Sequence, residues 1–191
     1  MLYTANMELL NQGKIARIIL PDDWQEDPHA AASTTTGYLR RFRPPGESDV
    51  EFAFYYRGGV VSDATAQQLR ATMEAPPHSL SDTELAALSE LLGDKCDAES
   101  FRLQGARTAV HNARRVLVIQ GEWTITERET LHAFVDVESS GFVVEEIIYT
   151  APKESYQHHL KAARGALKTI EWKQDPSDVL KKMGGTIRRK S

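Results

Sequence analysis

The chain has 191 residues, of which 41% are hydrophobic and 26% charged, with a formal net charge of −4. This balance excludes a disordered chain, a collagen and a disulfide scaffold, and the length fits one domain of about 100–200 residues. Cys96 is the only cysteine, so an internal disulfide is excluded and no oxidising compartment is implied. The start of the chain has no basic stretch followed by an apolar one, and no apolar run approaches the ~18 residues of a membrane span. A cytoplasmic location is therefore expected.

Charge is divided unevenly. Six basic and two acidic residues from Lys173 onward give the terminus +4, which leaves −8 on the rest. An acidic body is a poor surface for phosphate backbones, so no nucleic-acid partner is expected. The organisation expected is a single domain over 1–172 with a helical insert at about 62–93, followed by a flexible basic tail, 173–191.

Along the chain, Lys14 to Leu20 reads as a strand stopped by Pro21, with Trp24 just beyond. Residues 30 to 36 read as a loop. Tyr38 to Arg43 and Val50 to Tyr56 flank Pro44-Pro45-Gly46 and read as a hairpin. Val50, Phe52, Phe54 and Tyr56 share one face at period two. Gly58-Gly59 is expected to break the sheet before a helix capped by Ser62 or Asp63 and running to about Met73. Ser81-Asp82-Thr83-Glu84 is a capping box, with Leu80 and Leu85 placed for a hydrophobic staple, and that helix is expected to reach Gly93.

From Phe101 to Tyr149 the pattern is that of strands, with Val116 to Trp123, Glu129 to Val137 and Phe142 to Tyr149 as the clear ones. Their short turns favour an antiparallel meander. The last strand is apolar on both faces apart from Glu145 and Glu146, which implies layers above and below the sheet. Pro152 opens a helix whose Tyr156, Leu160, Ala163, Leu167 and Ile170 fall on one face.

No residue set carries a strong catalytic signal. Of the six histidines, His158 and His159 diverge on a helix, and no His-Glu-x-x-His or Cys-x-x-Cys is present, so no metal and no cofactor are expected. Glu145 and Glu146 point to opposite faces of a strand and cannot work as an acid–base pair. Asp136 and Glu138 share a face at a strand end. Cys96 lies between Lys95 and Asp97 with no visible base. Gly58-Gly59 ahead of a helix start is a weak anion signal beside its plainer reading as a turn.

The order of elements resembles the PsbP/Mog1/DcrB-like superfamily. The likeness rests on Ile15 to Trp24 (IARIILPDDW), the Val116–Trp123 strand, the Ser139-Ser140-Gly141 turn, the Phe142–Tyr149 strand and a closing helix ending in Ile170-Glu171-Trp172. The resemblance implies an α+β fold, an antiparallel β-sheet flanked by helices as a three-layer α/β/α sandwich. It also implies non-catalytic work, since members are photosystem extrinsic subunits, binders of a small GTPase and bacterial adaptors for secreted effectors. The reading that follows is a protein-binding adaptor or chaperone-like domain, not an enzyme, with Phe52, Phe54 and Tyr56 and the helical insert as contact regions. The alternative is a small-molecule binder or an enzyme with an unrecognised pocket, for which His111, His132 and Asp136 are the first suspects.

Overall fold

The computed structural model describes residues 7–21, 23–27, 38–136 and 138–173, and the side chains of 11–12, 38 and 56–60 are outside that description. The expectations for residues 30 to 36 and for the tail beyond 173 lie outside the described residues. The strands are β1 (Met7–Gln12), β2 (Ile15–Leu20), β3 (Gln25–Glu26), β4 (Tyr38–Arg43), β5 (Glu51–Val60), β6 (Phe101–His111), β7 (Arg114–Trp123), β8 (Arg128–Asp136), β9 (Val143–Pro152) and β10 (Glu171–Trp172). The helices are α1 (Asp63–Glu74), α2 (Asp82–Ala87), α3 (Ser89–Leu92) and α4 (Lys153–Lys168), with a 3-10 turn at Gly93–Cys96.

Seven strands form one antiparallel sheet in the order β3-β4-β5-β9-β8-β7-β6. A second, three-stranded sheet runs β1-β2-β10. The fold is α+β, with cover on both faces of the large sheet. On one face α4 and β2 bury Ile15, Ile18, Phe42, Phe52, Phe54, Val116, Val118, Leu131, Ile147, Tyr149, Tyr156 and Leu160 in one core. On the other face α1 to α3 supply Leu69, Leu88, Leu91 and Leu92 against Phe101, Leu117, Ile119, Phe134 and Val144. Alternate residues of β7 and β8 therefore serve two cores, which is why these strands are apolar on both faces.

The closing helix forms as its spacing requires. Tyr156, Leu160, Ala163 and Leu167 are buried along it, and Pro152 precedes its first turn, where a missing N–H costs nothing. Ser81 accepts from the Glu84 N–H while the Glu84 carboxylate returns to the Ser81 N–H at 2.9 Å, completing the capping box. Leu80 and Leu85, the staple pair, both pack against the second core. The helix from Ser81 does not run unbroken to Gly93, because Leu88 leaves helical geometry and divides it into α2 and α3.

A second correction concerns Gly58-Gly59. The sheet does not stop there, since β5 continues to Val60 with an irregular register between Tyr56 and Val60. Glycine weakens a strand but suits such a bulge. The weak anion signal ahead of α1 also finds an internal answer. The Glu90 carboxylate from α3 takes the Ser62 N–H at 3.0 and 3.1 Å and the Thr65 hydroxyl at 2.6 Å. A side chain of this chain thus fills the positive end of α1, where an anion is stabilised, and it ties α3 to α1.

Candidate functional site

The sequence-predicted aromatic contact surface is corrected by burial. Phe52 and Phe54 are both 0% exposed. Their face looks inward because α4 and β2 cover it, and Phe52 meets Trp24 edge-on at 6.1 Å between ring centres. The Tyr56 side chain is outside the described residues.

The suspects for a catalytic group are dispersed. His132 faces the helical-insert side, stacked on Phe134 and 3.4 Å through Nδ1 from the Glu146 carboxylate. His111 lies at the end of β6, whose neighbouring Ala109 packs against the opposite core. Burial, with Arg107 and Lys168 adding to it, pushes the His111 pKa down. Asp136 ends β8 and caps the following turn, its Oδ2 accepting the Gly141 N–H at 2.8 Å. Burial raises its pKa against the pull of the turn's N–H groups. Glu145 and Glu146 do face opposite sides of β9 and are both buried, Glu145 accepting the Lys14 N–H at 2.9 Å. Among the described residues no group of three or more His, Cys, Asp or Glu side chains could hold a metal.

The insert, the other predicted contact region, builds a groove. Residues 78–80 lie along the outer edge of β6. Leu80 donates to the Ala106 carbonyl and Thr108 donates to the His78 carbonyl, each at 2.9 Å. This pairing holds α2 beside the first residues of β6 and opens a cleft of about 460 Å³ lined by Leu85, Ala86, Lys95, Cys96, Phe101 and Leu103. Lys95 is buried, its ammonium 5.8 Å above the Trp123 ring and 5.5 Å from that of Phe134. The Cys96 Sγ is 3.7 Å from the Leu85 carbonyl oxygen, and partial burial pushes its pKa up against the pull of Lys95. A raised thiol pKa means little thiolate, so Cys96 is a poor nucleophile. The lining is mixed and mostly apolar.

Large apolar side chains stand in solvent around this edge. Leu103 is 39% exposed, Val110 52% and Ile125 86%. Leu103 and Val110 belong to β6, the terminal strand of the large sheet, and Ile125 follows the groove residue Thr124. A single exposed leucine is ordinary, whereas apolar groups beside a sheet edge are a liability that folds normally suppress.

One pH effect follows from how α2 is anchored. Ser81 and His78 hold the Glu84 pKa down to about 2, with the Ser81 N–H the largest cause. The His78 pKa is raised, first by the Pro76 carbonyl and then by Glu84 at 2.9 Å. The carboxylate contribution is present above the ordinary Glu value and is lost as pH falls towards 2, whereas the histidine contribution is present below about 6.5 and is lost as pH rises through its raised value. Stability measured by urea unfolding should therefore fall more steeply from about pH 5 to pH 2 in the native chain than in Glu84→Gln. Equal slopes would show that the capping contacts do not persist in solution.

No family model matches the sequence, and no curated protein matches it. Solved structures do. The solution structure of cyanobacterial PsbP (CyanoP) from Synechocystis aligns with a TM-score of 0.53 at 10% identity, covering 89% of this chain and 94% of that one. A crystal structure from Bacteroides thetaiotaomicron aligns with a TM-score of 0.45 at 14% identity, covering 89% of this chain and 49% of that one. At 10% identity the CyanoP likeness shows the fold alone: the chain has a PsbP-like fold. No helix among the described residues is long and apolar enough to cross a membrane.

Proposed function

We propose that the chain is a non-catalytic protein-binding domain, of adaptor or chaperone-like character, and that its partner engages the β6 edge and the groove beside α2. One observation carries the reading: Leu103 and Val110 stand exposed on an edge strand, with Ile125 exposed beside the groove. Residues 78–80 already pair with Ala106 and Thr108, so an extended segment of a partner would add its main-chain hydrogen bonds to β6 on either side of them, beside Leu103 or Val110, with specificity from side-chain pockets. The groove supplies such a pocket through Leu85, Phe101 and Leu103.

The test is a tagged pull-down from native lysate with the full chain, run beside Leu103→Asp and Ile125→Asp. One stoichiometric protein retained by the native chain and lost from both variants supports the reading. Equal retention by the variants moves the surface elsewhere and removes this one. A second reading has a specific observation behind it, because about 460 Å³ lies within the ~300–1,000 Å³ of small-molecule sites. A thermal shift with a small ligand that is abolished by Leu85→Asp, with no protein captured, would favour it.

A further inference from the structure

At the opposite end of β6 and β7 lies a smaller cleft of about 280 Å³, between the C-terminal end of α1, the β6–β7 turn and the β8–β9 turn. Arg70, Arg114 and Arg115 line it, with Glu74, Asp136 and Ser139. Three guanidinium groups face two carboxylates, so the cleft is net positive. Arg70 is 3.8 Å from Glu74, and Arg114 donates to the Asp136 carbonyl at 3.1 Å. Two atoms stand apart. Arg115 Nη1 and Asp136 Oδ1 are both screened from water, and neither has a hydrogen-bond partner among the described residues. A buried donor and a buried acceptor left unmade are each costly, and both belong to residues of the same cleft.

We propose that this cleft binds a phosphate group that carries a proton, the Arg115 and Asp136 side chains shifting to admit it so that Arg115 Nη1 donates to an unprotonated oxygen and Asp136 Oδ1 accepts from the P–OH. A guanidinium matches the geometry of a tetrahedral oxyanion. The carboxylate acceptor is the discriminating element. Sulfate has the same shape but no proton at neutral pH, so it meets Asp136 oxygen against oxygen. Inorganic phosphate always keeps at least one P–OH there. The small volume limits the ligand to the phosphate group and a few further atoms. The site lies away from the α2 groove and does not depend on it.

The experiment is calorimetric titration of the full chain with inorganic phosphate, methyl phosphate and sulfate at low ionic strength. Phosphate is expected to bind saturably and at least about tenfold more tightly than sulfate, the effect of one charge-assisted hydrogen bond gained and one repulsion avoided. Arg115→Gln should weaken phosphate binding by about tenfold or more, with Arg115→Lys recovering part of it. Asp136→Asn keeps an acceptor for the Gly141 N–H but can also present a donor, so its phosphate-over-sulfate preference should shrink to within about twofold. The far-ultraviolet spectrum and the unfolding midpoint of each variant report whether it remains folded. Methyl phosphate has a second pKa near 6 and is mostly the dianion without a P–OH at neutral pH, so it should bind more weakly than phosphate and tighten as the pH falls towards about 6; binding as tight as phosphate at neutral pH would show that no P–OH contact with Asp136 is made and would overturn the site. No saturable heat with phosphate up to about 10 mM, equal sulfate binding by the native chain, or undiminished binding by folded Arg115→Gln would overturn it.

Discussion

Phe52→Ala is expected to destabilise the chain by about 3–5 kcal/mol, the usual cost of emptying a buried aromatic site. Phe52 is wholly buried, lies 5.4 Å between ring centres from Phe54, and pairs in register with Tyr149. Its neighbours are held from several directions. Tyr149 donates its hydroxyl to the Tyr156 carbonyl at 2.8 Å and stacks on the Tyr156 ring, and Trp24 closes over both Phe52 and Tyr149. A cavity there cannot collapse cheaply, because strand, helix and loop would all have to move. Urea unfolding checks this. A midpoint unchanged from the native chain would mean that the ring is not in the core. Ile125→Asp is the contrast, since its side chain is 86% exposed and its stability should stay within about 0.5 kcal/mol.

Gly141→Ala carries the second large effect, at about 2–5 kcal/mol, from a left-handed backbone and a forced contact together. Gly141 has φ of +79°, and a Cβ there would lie 2.2 Å from the Ala66 carbonyl oxygen and 2.9 Å from its carbonyl carbon. Those atoms are helix backbone, so α1 as a whole would have to rise from the sheet. Hydrogen exchange should therefore show α1 losing protection before α4 does. The same substitution at Gly165 meets nothing within 4 Å on an exposed helical turn and should stabilise by up to about 1 kcal/mol. Similar effects at the two positions would remove the close approach of the β8–β9 turn to α1.

Much of the candidate groove was legible locally. The Ser81–Glu84 capping box defines the start of α2 within four residues of chain and is present, and Leu80 and Leu85 both pack against the second core. The wall opposite was not legible. In the sequence β6 is visible only as part of a long strand-rich region, because its inward residues come at irregular spacing around a register shift between Leu103 and Gly105. An edge strand with a bulge loses the clean alternation that marks a half-buried one. The short β1, β3 and β10 carried no signal of their own. Two of them exist because β2 offers both edges, with Glu171 and Glu8 each bonded to Arg17.

Local chemistry by itself determined where α1, α2, α4 and the central strands begin to within a few residues, which residues share a face, and that β9 must be covered on both sides. Period two and period 3.6 are properties of the backbone, so they are written into the order of residues. Which shared face meets solvent is a different matter. Phe52 and Phe54 fit a core more readily than a binding stripe by residue type, yet their shared face also offers a contact surface, and the arrival of α4 and β2 decides for the core. Glu90 at the head of α1 and Arg115 in one cleft with Asp136 are likewise products of the tertiary structure. Charge and hydrogen-bond partners separated by tens of residues meet only when packing closes the distance, and no local pattern encodes that closure.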